Sequence, residues 1–106
     1  FAEKEIKKYG LQAPMVGHVG DGNFHSTIIY DPNKKEDHKM IREFSNKLIN
    51  KALELDGTVT GEHGIGLQKK EYLKKEHKDN LPLMRLIKKS LDPKNIMNPG
   101  KIFDLE

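Results

Sequence analysis

Gly17-His18-Val19-Gly20-Asp21-Gly22-Asn23-Phe24-His25 reads as a β-hairpin built about Asp21-Gly22. Both central positions of a two-residue hairpin turn need positive φ, which Asp and Gly tolerate. With that pair at the apex, Gly20 faces Asn23, Val19 faces Phe24 and His18 faces His25. Directly opposed residues carry Cβ atoms roughly 4.5–5.5 Å apart, which brings both imidazoles within reach of one metal ion. Metal bonds to histidine nitrogen run about 2.0–2.1 Å. Spacing alone leaves two readings open, a metal pair and two structural histidines. Asp21 reads as the turn residue itself, its carboxylate serving local hydrogen bonds.

A second glycine-rich stretch, Gly61-Glu62-His63-Gly64-Ile65-Gly66, follows Thr58-Val59-Thr60, a β-branched run that reads as a strand ending in a turn. Glu62 then sits at a strand end, where a carboxylate projects into a site. With His18 and His25 it makes a set of two histidines and one carboxylate, which leaves coordination positions open as catalytic metal sites do. In extended geometry the adjacent His63 points to the opposite face, so the glycine turn has to reorient it. An imidazole titrating near neutrality suits proton abstraction from a hydroxyl, and His63 is cast as that acid/base group. The spacing Gly61, Gly64, Gly66, with no Lys-Ser or Lys-Thr after it, is neither a P-loop nor a dinucleotide fingerprint.

Outward from these stretches, residues 1–9 carry Phe1, Ile6 and Tyr9 among charges and end at Gly10, which reads as the last turns of a helix. Strands are expected at 13–19 and 23–30. Asp31-Pro32-Asn33 breaks the second, and Asn33 with Glu36 makes a capping box. From Glu36 to Asp56, Ile41, Phe44, Leu48, Ala52 and Leu55 recur at helical spacing, with Gly57 as terminator. A charged helix is expected over 67–77 and another from an Asn80 cap to Leu91, stopped by Asp92-Pro93 before an irregular tail. The order of about three strands among four helices describes an α+β layer, an antiparallel sheet with helices on one face and the other face left for a site.

The 106 residues allow a single domain, and 35% hydrophobic content with a mean hydropathy of −0.75 gives it a thin core. The net charge of +3 does not point to nucleic acid, because nineteen basic residues are interleaved with sixteen acidic ones. His38 and His77, in charged helical surroundings, read as surface residues. The absence of cysteine excludes disulfides and thiolate metal sites. No apolar run approaches the roughly 20 residues a membrane-spanning helix needs.

The segments GHVGDGNFH, GTVTGEHGIG and DPKNIMNPGKIF, in that order over roughly residues 12 to 103, resemble the C-terminal domain of FAD-linked oxidases of the vanillyl-alcohol oxidase type. Within it they are most similar to the group holding D-lactate dehydrogenase (cytochrome), glycolate oxidase and D-2-hydroxyglutarate dehydrogenase. The resemblance implies that residues 1–106 are the C-terminal part of a substrate domain. The flavin-binding domain and the start of the substrate domain are expected to lie outside it. It further implies that His18, His25 and Glu62 bind a divalent metal, zinc or manganese, and that His63 accepts the substrate's proton. The position two beyond the second metal histidine, an Asn that contacts substrate in the hydroxyglutarate members, is Thr27 here, which leans toward lactate. Asn98 of the Asn-Pro-Gly-Lys segment is implied as a flavin contact.

On that resemblance the expected chemistry is oxidation of a D-2-hydroxy acid, D-lactate favoured, to a 2-oxo acid with FAD as hydride acceptor and the metal orienting the substrate. Cytochrome c, a quinone or an electron-transfer flavoprotein would take the electrons. The expected location is the mitochondrion in a eukaryote, and in a bacterium the cytoplasm or the inner face of the membrane. Two rival classes are a metal-dependent hydrolase using the same His18, His25 and Glu62, and a non-catalytic metal-binding fragment.

Overall fold

The computed structural model describes residues 1–105. They form a small α+β domain with two compact units, Phe1–Asp56 and the residues from Gly57 onward. Among the described residues there are four α-helices and one antiparallel pair of strands.

In the first unit, helix α1 (Ala2–Tyr9) ends at Gly10, whose left-handed φ of 62° lets its N–H and that of Leu11 return to the carbonyls of Lys7 and Ile6. Glu3 and Glu5 lie in its first turn and Lys7 and Lys8 in its last, the arrangement the helix dipole favours. It packs against helix α2 (Lys35–Glu54), whose Phe44 is 1% exposed and meets Tyr9 edge to face at 6.4 Å between ring centroids. Burial of a ring of this size contributes about 1.5–3 kcal/mol. Lys47, one turn further along α2, reaches Glu5 at 3.1 Å and lies over the Tyr9 ring. Tyr9 and then Glu5 hold its ammonium above the usual lysine range.

The helical spacing in 36–56 is thus realised, but the capping box is not. Asp31 takes the Asn33 N–H at 3.0 Å in an Asx turn, so the helix begins after Lys34 without a side-chain cap. Asp37 accepts from the Asp31 N–H and His38 Nε2 reaches the Pro32 carbonyl, fastening the first turn from inside the helix. The C-terminal end is made by Leu55 and by Asp56, whose φ is 57°, one residue before Gly57.

The strands are shorter than the sequence suggests. Strand β1 (Met15–Val16) pairs with β2 (His25–Ser26), and a single bridge joins Gln12 to Ile29. The expected third strand at Thr58-Val59-Thr60 does not form. The Val59 N–H donates to Glu76 at 3.1 Å and the Val59 carbonyl accepts from Lys69 Nζ at 3.2 Å, so side chains satisfy the groups a partner strand would have used.

In the second unit, Val59, Leu73 and Leu81 are buried. Helix α3 (Lys70–Glu76) starts three residues later than expected, after a turn at Gly66, whose φ is 56°. His77, read from the sequence as a surface residue, is half-buried and 3.4 Å from Glu76. The chain passes into helix α4 (Leu81–Leu91) with the Leu81 N–H bonded to the His77 carbonyl, and the expected Asn80 side-chain cap is absent: Asn80 is the N-cap residue, but its side chain makes no cap hydrogen bond, and Pro82 at the second helical position has no N–H to give it. No described helix is long and apolar enough to cross a membrane.

Candidate functional site

The hairpin carries its histidines in a different register from the one read off the sequence. Val16, not His18, faces His25. Val19–Asp21 forms a turn of 3-10 helix closed by Gly22 at φ 72°, and the His18 carbonyl accepts the N–H groups of both Asp21 (2.9 Å) and Asn23 (3.1 Å). The apex is therefore a four-residue loop, because one carbonyl taking two donors outcompetes a tight Asp-Gly turn. The register moves by two positions, and an even shift leaves each strand's faces unchanged. His18 is exposed at the base of this loop and His25 is half-buried on β2. Thr27 is exposed beyond it, its N–H bonded to the Pro14 carbonyl. The Oγ of Ser26 is buried with no hydrogen-bond partner among the described residues.

Gly17 sets how closely the two arms approach. A Cβ there would lie 2.4 Å from Phe24 Cα and 2.5 Å from the Asn23 carbonyl oxygen, whereas a Cβ at Gly20 would meet nothing within 4 Å. Gly17→Ala is expected to cost about 1–3 kcal/mol by overpacking. Gly20→Ala should stay within about 0.5 kcal/mol. Thermal unfolding of the two variants checks the difference, and equal melting temperatures would contradict the close approach.

In the second unit the glycines bend the chain sharply at Glu62-His63. The Gly64 N–H bonds to the Gly61 carbonyl at 3.3 Å, and Gly64 takes φ 70°. Residues that would diverge in a strand are thereby turned to one side: His63 Nε2 lies 3.6 Å from Glu62 Oε1, both side chains exposed.

The C-terminal loop is tied to the same segment. The Ile102 N–H donates to the Gly66 carbonyl at 2.8 Å, and Lys70 Nζ reaches the Gly100 carbonyl and Asp104. Hydrogen bonding to Lys70 holds the Asp104 carboxyl below the usual carboxylate range. Asn98, at φ 47°, presents an exposed amide on this loop, and Gly100 follows at φ 72°. Sequence reading missed the residues that shape the loop. Asp92, 5% exposed, accepts the N–H groups of Ile96 (3.0 Å) and Met97 (2.9 Å), and it is paired with Lys88. Asp92-Pro93 signals a helix stop, and that reading hides the carboxylate's second task.

Residues 1–102 match the family described as FAD linked oxidases, C-terminal domain. The chain belongs to that family. This FAD-linked oxidase domain is 47% identical over 96 residues to the probable mitochondrial D-lactate dehydrogenase of Danio rerio, covering 90% of the chain and 19% of that protein. It is 43% identical over 102 residues to the mitochondrial D-lactate dehydrogenase (cytochrome) of Arabidopsis thaliana, covering 95% of the chain and 18% of that protein. Against the glycolate oxidase subunit GlcD of Bacillus subtilis (strain 168) it is 41% identical over 97 residues, 91% of the chain and 21% of the relative. The domain thus spans about a fifth of the length of these relatives.

Imidazole nitrogen, as on His18 and His25, and carboxylate oxygen, as on Glu62, are donor types that divalent cations such as zinc and manganese accept. The exposed Asn98 amide carries both a hydrogen-bond donor and an acceptor.

Proposed function

We propose that the chain is the C-terminal part of the substrate domain of a flavin-dependent dehydrogenase that oxidises a D-2-hydroxy acid, D-lactate in preference to others, to its 2-oxo acid. The observation that carries this reading is the match of residues 1–102 to the FAD-linked oxidase C-terminal domain, with relatives named D-lactate dehydrogenase at 43–47% identity. Thr27, where hydroxyglutarate enzymes of the family carry Asn, supports a monocarboxylate over a dicarboxylate.

His18, His25 and Glu62 are the residues that would hold a divalent cation, zinc or manganese. When bound, the cation supplies Lewis acidity that lowers the pKa of the substrate hydroxyl. The flavin supplies the two-electron acceptor for the α-hydrogen. His63 takes the hydroxyl proton at an imidazole nitrogen, its exposed ring set beside Glu62 by the turn. Thr27 contacts the substrate and Asn98 the flavin. Electrons leave to cytochrome c, a quinone or an electron-transfer flavoprotein. The location is the mitochondrion in a eukaryote, as in the names of the zebrafish and Arabidopsis relatives, and otherwise the bacterial cytoplasm or inner membrane face.

Ranking D-lactate, L-lactate, glycolate and D-2-hydroxyglutarate by kcat/KM in the full-length flavoprotein tests the substrate. D-lactate is expected to lead, and a lead for D-2-hydroxyglutarate would overturn the assignment. The 106 residues alone are expected to turn over none of them, since the hydride needs a flavin to accept it; D-lactate oxidation by the isolated domain would refute that.

A further inference from the structure

We infer that Asp92 and Lys88 are positioning residues that aim the Asn98 amide, an inference that rests on the reading of Asn98 as a flavin contact. Asp92 is the C-cap of α4, where the helix dipole disfavours negative charge, and it is buried, which disfavours charge again. A carboxylate in that place does nothing for the helix that Asn or Gly would not do better. What offsets its cost is the loop beyond. Its two oxygens accept the N–H groups of Ile96 and Met97, its backbone carbonyl accepts the Asn95 N–H at 3.0 Å, and the Lys88 ammonium pairs with it. Hydrogen bonding from Lys88, then from the Met97 and Ile96 N–H groups, holds the Asp92 carboxyl below the usual range against the opposing effect of burial.

Lys88 also donates to the Met97 carbonyl. The residue immediately before Asn98 therefore has its N–H fixed by Asp92 and its C=O fixed by Lys88. Asp92 thus fixes the peptide that joins Ile96 to Met97, and Lys88 fixes the next one, joining Met97 to Asn98, whose orientation sets the direction in which Asn98 leaves the backbone. Asn95 and Asn98 both stand in the left-handed region, at φ 50° and 47°, a conformation that persists in non-glycine residues when the surroundings over-determine it. On the far side, the Lys101 N–H bonds to the Asn98 carbonyl and Lys70 holds the Gly100 carbonyl. These anchors act on backbone and leave the Asn98 side chain exposed.

The test uses the full-length flavoprotein and the bound flavin's midpoint potential and visible absorption spectrum, measured for Asp92→Asn, Lys88→Met, Asn98→Ala and the double variant Asp92→Asn/Asn98→Ala. Asp92→Asn and Lys88→Met are expected to move potential and spectrum in the direction that Asn98→Ala moves them. With them kcat should fall about tenfold while KM for the hydroxy acid stays within about twofold. In the Asn98→Ala background, Asp92→Asn should add nothing to the flavin signature, the non-additivity of residues acting through one group. Should Asp92→Asn fail to retain flavin, Lys88→Met, which keeps the carboxylate, carries the comparison. A wild-type flavin signature in Asp92→Asn and Lys88→Met, or additive shifts in the double variant, overturns the positioning role while leaving Asn98 as a flavin contact. A wild-type signature in Asn98→Ala removes the flavin contact itself and the inference with it.

Discussion

His63→Ala in the full-length flavoprotein is expected to slow flavin reduction by a D-2-hydroxy acid about 10²–10⁴-fold, the range for losing a positioned general base. The loss should appear in kcat more than in KM, because proton removal belongs to the transition state and the other proposed substrate contacts remain. Rapid mixing without oxygen separates this step from reoxidation. The turn is held by the Gly61 to Gly64 backbone bond, so removing the exposed ring leaves that hydrogen bond in place. A reduction rate within a few-fold of wild type would show that another group takes the proton.

Glu62→Gln tests the cation. It keeps the shape of the side chain and the turn but replaces an anionic oxygen donor with a neutral amide. Outer-shell changes around metal ligands already cost about 10–100-fold in affinity, so loss of a ligand's charge should reach at least the upper end of that range. Metal content after equilibration with a chelator reads this directly, with His25→Ala as an independent second variant. Purified wild type is expected to retain zinc or manganese under conditions where both variants lose it. Equal retention in all three would remove Glu62 and His25 from the ligand set.

Much of this was legible in the sequence because it depends on local pattern. The apolar spacing through Ile41, Phe44 and Leu48 gave α2, and Gly10 marked the end of α1. The glycines around Glu62 and His63 announced a turn that would swing neighbouring side chains together. The departures arise where a longer-range bond competes with a local preference. Asp21-Gly22 favours a tight turn, yet the His18 carbonyl captures two N–H groups and opens the loop to four residues. Thr58-Val59-Thr60 has strand propensity, yet Glu76 and Lys69, both distant in sequence, take the Val59 backbone groups. Asp92 was hidden for the same reason. A helix-stopping Asp-Pro pair shows where α4 ends, while the N–H groups that its carboxylate collects are defined only by the loop that follows.

Anaerobic mixing of the full-length flavoprotein with D-lactate is the most direct measurement of the proposed chemistry. The oxidised flavin's colour is expected to bleach completely in wild type, with pyruvate formed in equal amount, and to persist in His63→Ala over the same interval. Colour that persists in the wild-type protein with D-lactate, glycolate and D-2-hydroxyglutarate alike would contradict hydroxy-acid oxidation as the function this domain serves.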